Sequence, residues 1–155
     1  MFLLYICEHK TDKIMKKYIF TLVLAAISAN TKAQNNNTTF KGYFYNDEYS
    51  IYMNIDFHSM EVEVPNHSLF GKLPGYLGKK LNNFYWLVTS AKIKDKNSAE
   101  LNLINDYGSE DLKAILKHEN DSTYTFKQES GSPLKVANNG KWQKLPKQFK
   151  LIKKK

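Results

Sequence analysis

From Phe40 onward, apolar and polar residues alternate with a period of two. Tyr49, Ile51, Met53, Ile55 and Phe57 form one apolar row; Ser50, Asn54, Asp56 and His58 lie on the opposite face, with Tyr52 among them. Successive side chains of a strand point to opposite sides, so this spacing predicts a half-buried strand. Residues 40–45 precede it as a second strand, joined through Asn46-Asp47-Glu48 as a hairpin. Met60, Val62 and Val64 alternate with Glu61 and Glu63 and stop at Pro65. Residues 66–78 are irregular, with three glycines and a proline, yet carry Leu69, Phe70, Leu73, Tyr76 and Leu77. A solvated linker would not be this apolar, so the segment is expected to pack over something.

Residues 84–93 are apolar on both faces. Phe84, Trp86 and Val88 take one side; Tyr85, Leu87, Ala91 and Ile93 take the other. A strand of this kind has a second layer over its back. Ala99, Leu101 and Leu103 alternate with Glu100 and Asn102 after a turn at 94–97. Residues 109–120 fit two patterns: Ser109 could cap a helix with Leu112, Ile115 and Leu116 on one face, or Leu112, Ala114 and Leu116 could alternate in a strand. The flanking strands and turns favour the strand. Tyr124 and Phe126 continue the alternation, Asn139-Gly140 suits a tight hairpin turn, Trp142 opens its second arm, Pro146 breaks that arm, and residues 149–151 close the chain. The pattern predicts an all-β fold: one antiparallel meander barrel of about 8–10 strands.

The first residues read differently. Met15-Lys16-Lys17 is basic, residues 18–27 carry no charge, and residues 28–33 are mostly small and end in Ala33. That order predicts a signal peptide starting at Met15 and cleaved after Ala33, with residues 1–14 an upstream extension and residues 34–155 a single barrel domain. The apolar run is shorter than the roughly 20 residues a membrane span needs. The expected location is the periplasm or outside the cell. Cys7, the single cysteine, then lies outside the mature domain, which excludes a disulfide scaffold and a thiol enzyme.

Charge is local. Residues 34–134 hold 10 Lys against 13 acidic residues, whereas residues 135–155 hold 8 Lys and no acid. The chain has no arginine, the best reader of phosphate and guanine, which argues against a nucleic-acid partner. Lysines on a final edge strand would keep the sheet from pairing with neighbours.

Candidate chemistry is sparse. Asp56 and His58, two apart on a strand, form a pair that could share a metal ion, but no second histidine stands at matching spacing. No nucleophile elbow, phosphate loop or glycosidase carboxylate pattern is present, so no catalytic residue and no cofactor is assigned and an enzyme is not expected. Aromatic side chains remain. Tyr52 on the polar face of its strand, Tyr76 and Phe70 in the glycine-rich apolar segment, and Trp86 on the two-sided strand are the candidate ligand contacts.

The leader, the first strand Phe40-Lys41-Gly42-Tyr43-Phe44, the meander from Tyr124 and Lys141-Trp142-Gln143-Lys144-Leu145-Pro146-Lys147 before a basic last strand together resemble small secreted calycin-type proteins of Bacteroidota, distant relatives of lipocalins. The resemblance implies an exported, non-enzymatic barrel that binds a small apolar or amphipathic ligand, with residues 66–78 as a lid at its mouth. The alternative is a secreted protein-binding module: an inhibitor, immunity protein or surface-complex subunit. A filled interior with an exposed aromatic patch would favour the second.

Overall fold

The computed structural model describes residues 38–154. The leader, with its proposed start at Met15 and cleavage after Ala33, lies outside the described residues, as does Cys7.

Twelve strands follow in order: β1 (Lys41–Asn46), β2 (Ile51–Asp56), β3 (Val62–Glu63), β4 (Lys72–Leu73), β5 (Gly75–Lys79), β6 (Tyr85–Asp95), β7 (Ser98–Asn105), β8 (Asp111–His118), β9 (Thr123–Gly131), β10 (Lys135–Asn138), β11 (Lys141–Lys144) and β12 (Gln148–Lys153). Eight of them close into an antiparallel barrel in the circular order β1-β2-β5-β6-β7-β8-β9-β12. This is an up-and-down meander interrupted by two small hairpins, β3–β4 and β10–β11. First and last strands meet at Phe44 opposite Lys153 and Tyr45 opposite Ile152. Because β12 pairs with both β1 and β9, its lysines lie on no sheet edge.

Residues 111–118 are a strand, paired with β7 and β9. Ser109 caps no helix: its N–H and that of Glu110 donate to Asn105 Oδ1, closing the β7–β8 turn. The turn at Asn139 and Gly140 has positive φ at both positions, 50° and 76°, as a two-residue hairpin requires.

The inward row is the one the alternation marks. Ile51, Met53, Ile55, Leu77, Trp86, Val88, Leu101, Leu103, Leu112, Leu116, Phe126 and Leu151 belong to a single buried core. Phe44, Met53, Leu77, Trp86, Leu103 and Phe126 expose no surface that water could touch, from outside or from a void within. Eight-stranded barrels are narrow enough for side chains to fill them, and this one is filled. Phe40, Phe57 and Tyr124 join the core at one end, the Phe40 end. At the other, the hairpin end, Leu134, Val136 and Leu145 bring β10–β11 onto the core, and the Trp86 indole N–H donates to the Lys135 carbonyl at 2.8 Å.

The second layer predicted behind residues 84–93 exists. Val62 and Val64 pack with Tyr76, Tyr85 and Leu87, and with half-buried Tyr52, Leu73 and Ile104, in a second core on the outside of the barrel. The β3–β4 hairpin is therefore a flap on the outer wall, not a lid over the mouth. Residues 75–78 are no part of it, because β5 is a barrel strand. In β6 a bulge between Val88 and Ser90 shifts the register. Beyond it Ala91 and Ile93 pair with inward-facing Leu101 and Ala99, so they join the side of Trp86 and not that of Tyr85.

Candidate functional site

The sequence candidates fall on opposite sides of the barrel wall. Trp86 is inside, fully buried and pinned to Lys135. Tyr52 and Tyr76 are outside, on neighbouring strands, with rings edge to face at 6.1 Å. The series continues to Tyr43, stacked on Tyr52 at 5.2 Å, and to Tyr85, edge-on to Tyr76 at 5.3 Å. Gly78 makes this possible: a Cβ there would lie 2.9 Å from the Tyr52 ring and 3.0 Å from that of Tyr85. Burial, with a hydrogen bond to Tyr85 and other phenols nearby, pushes the Tyr52 hydroxyl far above the ordinary tyrosine range. Burial raises Tyr76 as well, against a hydrogen bond with Asn54 that pulls the other way. Phe70 joins through the flap, stacked on His67 at 5.5 Å, while His67 meets the Tyr85 ring edge-on at 5.3 Å.

Asp56 and His58 do not form a site. Strand β2 ends at Asp56, so His58 leaves the strand face and its ring Nε2 lies 2.7 Å from the Thr39 carbonyl. Asp56 is buried rather than solvated. Its Oδ2 is 2.8 Å from Lys41 Nζ, and its Oδ1 accepts the N–H groups of His58 and Ser59, each at 3.0 Å. Burial alone would raise its pKa, but hydrogen bonds from Lys41, Ser59 and His58 outweigh it and hold the carboxyl well below the ordinary range. Among the described residues no three His, Cys, Asp or Glu side chains gather to hold a metal ion.

The hairpin end shows what the alternation could not. Phe84 sits at its centre, 4.7 Å from the Trp142 ring and 5.6 Å from that of Tyr107. Both of those rings are more than half exposed. Leu81, on the loop leading to Phe84, is fully exposed, and so is Leu69 beside Phe70 on the flap. The flap tip reaches this end because His67 Nε2 lies 3.7 Å from Oδ2 of Asp106, the neighbour of Tyr107. Five of the eight exposed large apolar side chains among the described residues thus belong to loops at one end: Leu69, Phe70, Leu81, Tyr107 and Trp142. Leu81 also holds φ at 57°, a left-handed conformation costing a side-chain-bearing residue about 1–2 kcal/mol, with no burial in return. Asn82 ties this loop to the hairpin, donating to the Ala137 carbonyl at 3.3 Å and accepting the Phe84 N–H at 2.7 Å.

No protein-family model, no curated protein and no solved structure matches the chain.

The reading of this end therefore rests on its own chemistry. Lys135 is engaged with Glu110 at 2.6 Å, and Lys80 lies over the Tyr45 ring at 4.5 Å. Lys141 and Lys144, on the same hairpin as Trp142, have no ion pair among the described residues, and residues 132–148 include no acid. The end is apolar at its centre and basic along the hairpin. Sequence gave partial hints: a leucine inside the polar run Lys80-Leu81-Asn82-Asn83, and a tryptophan two residues after the Asn-Gly turn.

Proposed function

We propose that the barrel is a non-enzymatic protein-binding module that meets its partner with the hairpin end. The observation that carries this reading is the set of exposed apolar side chains at one end: Tyr107 and Trp142 against Phe84, Leu81 on the loop leading to Phe84, and Leu69 and Phe70 on the flap whose His67 reaches Asp106. Scattered apolar side chains are ordinary on a surface; a contiguous set signals an interface. Aromatic anchors at the centre with a charged rim is the anatomy of a specific protein contact. The unpaired lysines on the hairpin suit a partner whose rim is acidic. The small-ligand reading needs room that the core lacks, since a guest would have to displace side chains such as Trp86 and Phe44.

An eight-stranded up-and-down barrel is also the architecture of lipocalins. It supports the likeness to secreted calycin-type proteins without distinguishing them from other such barrels. Export through the leader is part of the same proposal and would place the partner in the periplasm or beyond the cell. The test uses the full chain as bait on envelope and medium fractions of its source organism. The expected outcome is one protein captured reproducibly by the native chain and lost with Leu81→Ser combined with Trp142→Ser, while the thermal unfolding midpoint is kept. Capture that survives the double substitution would overturn the assignment to this end.

A further inference from the structure

Part of the docking end is carried by the flap, whose base packs on the outer wall through Val62 and Val64 and whose tip makes one ionisable contact. His67 Nδ1 lies 2.9 Å from the Pro65 carbonyl oxygen. A carbonyl oxygen can only accept, so Nδ1 bears the proton in this contact. Nε2 then faces Asp106 Oδ2 at 3.7 Å. In a neutral ring with Nδ1 protonated, Nε2 would aim a lone pair at a carboxylate. In the imidazolium it aims an N–H, so beside an ionised Asp106 only the charged ring suits both neighbours.

Asp106 depends on that partner. Its side chain is only 7% exposed. Oδ2 accepts the Tyr85 N–H at 3.2 Å, but buried Oδ1 has no hydrogen-bond partner. The other groups facing this carboxylate are its own backbone N–H and that of Tyr107. The remaining neighbours of His67 are the rings of Tyr85 on β6 and Phe70 on the flap. Glu63 and Lys72 share with His67 a cavity of about 680 Å³, and Lys72 is itself paired with Glu61 at 3.2 Å. The imidazolium is thus the only side-chain cation within ion-pair distance of Asp106 among the described residues.

We propose that His67 and Asp106 form a protonation-dependent latch that decides whether the flap tip is pinned at the docking end. The inference rests on the protein-binding reading of that end. With the ring charged, the tip that carries Leu69 and Phe70 stays pinned at Asp106. When the ring loses its proton, a buried carboxylate faces a lone pair and the tip beyond Val64 lifts from Asp106, while Val62 and Val64 stay packed on the outer wall. A contact made only by the imidazolium strengthens when the ring gains its proton and weakens when the ring loses it. Burial raises Asp106 above the ordinary carboxylate range, so strong acid neutralises the other half of the pair.

The test is amide hydrogen exchange on the full chain at pH 5.5 and pH 8.0, corrected for the intrinsic exchange rate. Residues 62–73 report the flap and residues 101–103 of β7 are the internal control. Flap protection is expected to be lost between the two pH values, with the control unchanged, and the loss is expected to vanish in His67→Gln. Equal flap protection at both pH values, or an unchanged response in His67→Gln, overturns the proposal. Should His67→Gln not fold, nitrogen NMR of the native ring decides: a proton kept on Nδ1 at pH 8.0 supports the latch, and the opposite tautomer refutes it. Neither readout involves a partner, so failure here leaves the docking end standing, and loss of the docking end leaves the latch measurable.

Discussion

The two ends of the barrel are closed by different means, and the difference separates what the fold needs from what it carries in addition. At the Phe40 end the plug comes from the wall's own flanks: Phe40 stacks on Phe57 at 5.9 Å and meets Tyr124 edge-on at 6.0 Å, all three buried. Met60, Ile93 and Ile152 are part-exposed, as single side chains usually are. At the hairpin end β10–β11 supplies Leu134, Val136 and Leu145 to the core, and that seals it. Yet the outer surface of this end still displays two fully exposed leucines and two aromatic rings that are more than half exposed. Sealing a barrel does not call for them. One end is apolar because it is buried; the other is apolar where it meets solvent.

Substitutions should break this comparison unevenly. Phe40→Ala at the sealed end empties buried volume and should cost about 3–5 kcal/mol in urea unfolding. Trp86→Phe should cost about 1–3 kcal/mol, since it shrinks the core and leaves the Lys135 carbonyl without its donor. At the hairpin end, Trp142→Ser should stay within about 0.5 kcal/mol of the native chain, as surface changes do. Leu81→Gly should stabilise the fold by about 0.5–1 kcal/mol, because glycine accepts the φ of 57° that leucine holds under strain. A large loss at Trp142 or Leu81 would mean that the two ends serve stability alike.

The Phe40 end also carries the depressed carboxyl of Asp56, held by Lys41 and two backbone N–H groups. Its folded pKa lies below the unfolded value. The stability it contributes is therefore present above about pH 4 and is lost as the pH falls through the folded value. Acid unfolding of Asp56→Ala should show less pH dependence below pH 4 than the native chain, starting from lower stability at neutral pH. Identical acid profiles would show that the contact contributes nothing.

Much of the barrel was legible in the alternation because a strand has only two faces and the inner one must be apolar. Ile51, Met53 and Ile55, or Ala99, Leu101 and Leu103, needed no other rule. The same rule misplaced Ala91 and Ile93, since one bulge residue in β6 exchanges the faces and leaves no mark on composition. It also kept His58 on a strand that ends two residues earlier, and it placed Trp86 with Tyr52, Tyr76 and Phe70 among ligand contacts although the barrel wall separates them. The apolar surface of the hairpin end was only hinted at by Leu81 in its polar run and Trp142 after the Asn-Gly turn. Leu81, Tyr107 and Trp142 lie on three turns far apart in sequence that closure of the barrel brings to one end, and Leu69 belongs to the flap, which packs along the outer wall toward Asp106.

The central claim is that the interior is a packed core and that binding happens outside. Trp142→Phe leaves Trp86 as the only tryptophan of residues 34–155, buried at the heart of the barrel. Titration of that variant with a fatty acid and with haem, followed by Trp86 emission, tests the claim directly. No saturable change is predicted for either probe; saturable quenching at micromolar concentration would mean that the barrel opens to a guest and would contradict it.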